Sequence, residues 1–115
     1  MKIPKDKFDT ESLLNASKEF VVKNQNKLII WLQDSNWPVA LTVKEAMRPL
    51  YLEVEESILC VLNTDDEEWK VSVIYHLIYG QKERSHVIDQ KLKNILEQSD
   101  LSSDMIEAIE LVLDN

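Results

Sequence analysis

The sequence predicts a single all-α domain over residues 1–115, built of stacked helical hairpins with about six or seven helices. Apolar residues recur at a helical period along almost the whole chain, which is the primary signal of amphipathic helix. Glycine occurs once and proline three times, too few for a fold rich in tight β-turns. A pattern of apolar helix, acidic turn and tryptophan returns after 32 residues, from Trp37 to Trp69. That spacing lies in the range of helical-hairpin repeats.

A short first helix is expected from Asp9 or Thr10 through Leu13 and Leu14, with the Asp9 carboxylate accepting orphan N–H groups at its start. A second, from about Ser17 to Gln33, would bury Phe20, Val21, Leu28, Ile29, Trp31 and Leu32. The polar stretch Lys23 to Lys27 weakens its middle and invites a break. Asp34-Ser35-Asn36-Trp37-Pro38 separates it from a third helix. Proline suits a first helical turn and drives Trp37 away from helical angles, so the cap is Asn36 or Trp37. The third helix carries Val39, Ala40, Val43, Ala46 and Met47 on one stripe until Pro49 stops or kinks it. The fourth spans about Glu53 to Leu62, with Val54, Ile58, Val61 and Leu62 inward. Asp65 and Glu68 stand at capping-box spacing before the fifth, about Asp66 to Tyr79, which is apolar on most sides and should be central. Gly80 sits where a left-handed residue would close that helix. A sixth is expected from about Arg84 to Gln98, facing Ile88, Leu92, Ile95 and Leu96 inward. The last begins near Ser102 or Ser103 and carries Met105, Ala108, Ile109 and Val112.

The repeat ties these elements together. Leu28 to Ala40 and Ile58 to Val71 each read as apolar helix, acidic turn, tryptophan and, two residues on, valine. A weaker copy without tryptophan runs from Ile95-Leu96 through Asp100 into Met105-Ile106-Glu107-Ala108. One hairpin cannot bury its own apolar face, whereas stacked neighbours share a continuous core. Trp31, Trp37 and Trp69 are therefore read as structural core, wedged where helices of successive pairs meet.

The acidic turn, the tryptophan and the following valine resemble HEAT-like repeats. The string Trp31-Leu32-Gln33-Asp34-Ser35-Asn36-Trp37-Pro38-Val39-Ala40 goes further. Together with Asp65-Asp66-Glu67-Glu68-Trp69-Lys70 and with Pro4-Lys5-Asp6-Lys7 before Asp9, it resembles a bacterial family, domain of unknown function 5071. The resemblance covers most of the chain. It implies a short right-handed α-α superhelix of HEAT or armadillo type, and it implies no activity.

Charge narrows the function classes. The formal net charge is −8, and it is uneven. Residues 1–50 hold eight Lys/Arg and six Asp/Glu, whereas residues 51–115 hold five and fifteen. Such a surface repels phosphate backbones, so nucleic acid is not expected as a partner, and a basic protein would be attracted. No apolar run approaches the roughly 20 residues that span a bilayer. The basic start Met1-Lys2 to Lys7 leads into no apolar region of a secretory signal. With Cys60 the single cysteine, a cytoplasmic protein is expected, without a membrane role.

Elements of catalytic chemistry are sparse. Cys60, between Leu59 and Val61, is expected inside the core. His76 and His86 lack the i, i+4 spacing to each other or to a carboxylate that suggests zinc. One glycine cannot build a phosphate-binding loop, so no cofactor, catalytic residue or metal ligand is assigned. The favoured function is a protein–protein interaction module, in one version an immunity or inhibitor protein with a basic partner. The alternatives are a carboxylate- or metal-dependent enzyme, and a structural subunit or homodimer exposing Leu50-Tyr51-Leu52. Candidate partner-binding residues are Asp34 and Asn36 at one repeat junction, and Asp65, Asp66, Glu67 and Glu68 at the next. Successive junctions of a helical stack share one edge, although each of these residues can also serve only as a cap.

Overall fold

The computed structural model describes residues 2–114. Among them are seven α-helices and no strand: α1 (Lys18–Lys23), α2 (Gln25–Ile29), α3 (Pro38–Met47), α4 (Glu55–Leu62), α5 (Glu67–Val73), α6 (His86–Leu96) and α7 (Ser103–Leu113). Side-chain caps start four of them. Ser17, Asp66, Ser85 and Ser102 accept from the N–H groups of Phe20, Trp69, Ile88 and Met105, each three residues on.

The expected helix at Asp9 does not form. Residues 6–15 run as successive turns, with Leu13 buried and Leu14 exposed. Asp9 accepts from the backbone N–H of Lys5, Glu11 and Ser12 and from the Ser12 hydroxyl. A carboxylate satisfying so many local donors stabilises a turn at the expense of helix. These bonds, the Ser12 hydroxyl foremost, hold the Asp9 carboxyl well below the usual carboxylate range.

The expected second helix is divided. It breaks at Asn24, inside the polar stretch, where φ −106° and ψ 16° leave the helical well and the side-chain amide donates back to the Phe20 carbonyl. After α2 the chain tightens into a 3-10 turn, Ile30–Gln33. Trp37, with ψ 134°, is the cap of α3, as the following proline requires. Pro49 turns the end of α3 into a 3-10 turn, Arg48–Leu50. The fifth helix widens after Val73 into a π-helical turn, Ile74–Ile78, and Gly80 closes it at φ +78°.

The helices pack into a molecule of 41 × 25 × 20 Å. α2, α4 and α6 neighbour one another in order, while α5 packs between the turn after α2 and α7. Leu28, Leu32, Ile58, Ile74, Leu77, Leu92 and Ile109 fill the shared core. The three tryptophans are half-buried and pack against its edge. Trp31 meets Trp37 edge-on, with ring centroids 6.0 Å apart.

Polar side chains link each hairpin to its neighbour at helix ends, where backbone groups lack intrahelical partners. α4 has no side-chain cap of its own, and Gln25 of α2 accepts the Ser57 N–H at 3.0 Å. Trp69 Nε1 donates to the Ile29 carbonyl at 3.1 Å, where α2 gives way to its 3-10 turn. Arg48 donates to the carbonyls of His76 (3.2 Å) and Tyr79 (2.6 Å), closing the π-helical turn. Ser85, the cap of α6, donates its hydroxyl to Glu55 of α4.

Cys60 is exposed, contrary to the expectation of a core position. The inward stripe of α4 is Ser57, Ile58, Val61 and Leu62. Residue 60 lies about 200° around the helix from 58, on the far side. Of Leu50-Tyr51-Leu52, Tyr51 is buried, Leu50 packs on the core and Leu52 is exposed. Among the described residues no helix is long and apolar enough to cross a membrane.

Candidate functional site

The packing brings three interhelical segments to one groove. The segment before α3 contributes Gln33, Asp34, Ser35 and Asn36. The start of α5 contributes Glu67, Glu68, Val71 and Ser72, and its π-helical extension adds Tyr75 and His76. Ser102 and Asp104 come from the start of α7. Together they line an open groove of about 560 Å³. Val71 and Tyr75 are the apolar residues of its lining, and the rest are polar.

The lining carries four carboxylates, Asp34, Glu67, Glu68 and Asp104, and no lysine or arginine. Local structure explains why acids stand there. Glu67, Glu68 and Asp104 lie in the first turns of α5 and α7, where the aligned peptide dipoles favour negative charge, whereas Asp34 follows the 3-10 turn Ile30–Gln33. Asp34 is partly occupied, since its Oδ1 accepts the Asn36 N–H at 2.8 Å. Glu67 and Glu68 in the first turn of α5, and Asp104 in the first turn of α7, have no hydrogen-bond or ion-pair partner among the described residues.

His76 has a fixed orientation. Its Nδ1 lies 2.7 Å from the Ser72 carbonyl, one turn back on the same element. A carbonyl only accepts, so Nδ1 carries the hydrogen, and the neutral ring keeps Nε2 as an acceptor. Tyr75 packs edge-on against Tyr79, with centroids 6.5 Å apart. Burial raises the Tyr75 phenol above its usual range, and the nearby charges of Glu107 and Asp104 and the neighbouring Tyr79 add to this. The two charged side chains that raise it are both carboxylates.

Four of the six candidate residues meet in this groove: Asp34, Asn36, Glu67 and Glu68. Asp65 and Asp66 do not line it. Asp66, one residue later than the capping-box spacing suggests, caps α5 by accepting the Trp69 N–H at 3.0 Å. Sequence reasoning missed Tyr75, His76, Ser102 and Asp104. The weaker third repeat was the available signal for Ser102 and Asp104, because it aligns Ser102-Ser103-Asp104 with the first two junctions. No group of three or more His, Cys, Asp or Glu among the described residues is arranged to hold a metal ion.

Comparison with known proteins identifies the chain as a member of the family described as domain of unknown function 5071, whose profile matches residues 2–112. No curated protein matches it.

Proposed function

We propose that this protein is a protein-binding module and that a basic segment of its partner docks in the groove where the hairpin junctions meet. One observation carries the reading: the groove combines apolar Val71 and Tyr75 with four carboxylates and no balancing lysine or arginine. Such a surface attracts a cationic partner, speeds its encounter and disfavours acidic competitors. The fold suits the role. We read the stacked hairpins as a short HEAT-type superhelix, in which junction residues vary without disturbing the core. The acidic surplus of residues 51–115 supports the same partner class. An immunity or inhibitor protein is the version in which the bound basic surface is a nuclease's substrate site. There the groove would mimic the charge of the displaced nucleic acid.

The test is capture of partners from the cytoplasm of the source cell by the tagged protein, at low and high salt. Wild type is compared with Glu67→Gln/Glu68→Gln/Asp104→Asn and with the control Asp65→Asn, which lies outside the groove. The expected result is a basic protein held stoichiometrically by wild type and by Asp65→Asn, weakened by salt and lost from the triple variant. Equal retention by the triple variant would refute the groove as the docking surface.

A further inference from the structure

We infer that the group seated in this groove is an arginine side chain, with its guanidinium against the Tyr75 ring and its N–H groups directed at acceptors on the walls. The inference rests on the basic-partner reading and specifies its chemistry.

Three features point to guanidinium. The groove presents a surplus of acceptors. Glu67, Glu68 and Asp104 line it with carboxylates that have no side-chain hydrogen-bond or ion-pair partner among the described residues. A ligand that satisfies such walls must bring several donors and no acceptor, which describes arginine and lysine. Next, the acceptors come from two helices, α5 and α7, that line the same groove. A rigid fork of five N–H donors reaches several of them at once, whereas a compact ammonium meets them as a point charge. Last, the lining includes an aromatic ring, Tyr75, near the negative charges of Asp104 and Glu107. A planar, weakly hydrated cation stacks on such a ring and sheds its water at lower cost than an ammonium does.

Calorimetric titration with three alternating hexapeptides tests this, at low ionic strength: glycine–arginine, glycine–lysine and glycine–citrulline. Citrulline keeps the shape of arginine and removes its charge. The arginine peptide should bind about ten-fold more tightly than the citrulline peptide and about three-fold more tightly than the lysine peptide. Tyr75→Leu should abolish the preference for arginine over lysine, while Tyr75→Phe, which keeps the ring, retains it. Glu68→Gln, at an exposed position with little bearing on folding, should weaken both cationic peptides. A lysine peptide that binds as tightly as the arginine peptide overturns the guanidinium assignment and leaves the basic-partner reading standing. Binding of neither cation, or binding indifferent to Glu68→Gln, overturns both.

Discussion

Arg48 and Gly80 together hold the turn that carries Tyr75 and His76, and their coupling can be predicted in magnitude. Arg48 leaves the 3-10 turn after α3 and closes the π-helical turn through the carbonyls of His76 and Tyr79. Hydrogen bonds from a charged donor contribute about 1.5–3 kcal/mol each when buried. The Tyr79 end is exposed, so Arg48→Ala should cost about 2 kcal/mol in all. Gly80→Ala places a side chain at φ +78°, which costs about 1 kcal/mol for an L-residue. The added Cβ would also lie 3.1 Å from Arg48 Nη2, a close contact that the guanidinium must move to relieve. That displacement should raise the cost of Gly80→Ala to about 2 kcal/mol in the wild-type background. Once Arg48 is gone, only the backbone cost of about 1 kcal/mol remains. Urea unfolding of the two single variants and the double variant, followed by tryptophan fluorescence, measures the cycle. The predicted coupling is about 1 kcal/mol, in the sense that the double variant is more stable than the sum of the singles implies. Strict additivity, or an Arg48→Ala cost under about 0.5 kcal/mol, would show that Arg48 does not hold the turn.

Three further outcomes follow from particular contacts. Trp69→Phe keeps most of the packing and leaves the Ile29 carbonyl without its indole donor, so it should cost about 1 kcal/mol in denaturant unfolding. The depressed Asp9 carboxyl adds stability that is complete above its unfolded value and is lost as pH falls toward its folded one. The stability difference between wild type and Asp9→Asn, measured by thermal unfolding, should therefore shrink progressively below about pH 4. Cys60 should react stoichiometrically with a thiol reagent in the folded protein and without denaturant; protection until unfolding would contradict its exposure.

Helix positions were legible where amphipathic stripes and caps agreed. Ser102 ahead of Met105, Trp37 before Pro38, and Gly80 at the end of a long apolar run each mark a boundary by local stereochemistry. The Asp9 segment misled because a good capping residue is also a good turn residue. Three backbone donors and one hydroxyl converge on its carboxylate, and the helix does not start. Cys60 misled because a continuous apolar run, Ile58 to Leu62, hides which positions point inward. For the site, Asp34, Asn36, Glu67 and Glu68 of the two repeat junctions line one groove, whereas Asp65 and Asp66 do not. Tyr75 and His76 could not be read from the pattern. They follow Val71 and Ser72 by four residues on the same face, where α5 passes into a π-helical turn closed by an arginine 28 residues away in sequence. Such widened turns occur often at functional sites, and no residue type announces them.

The central claim is that the three junctions form one cation-binding groove. Amide chemical-shift mapping of the isotope-labelled protein, titrated with the alternating glycine–arginine hexapeptide, tests it most directly. The account predicts saturable shifts confined to Gln33–Asn36, Glu67–His76 and Ser102–Asp104, and absent with the citrulline peptide. Shifts spread over the acidic outer face of α7, at Glu110 and Asp114, or no saturable shifts at all, would contradict it.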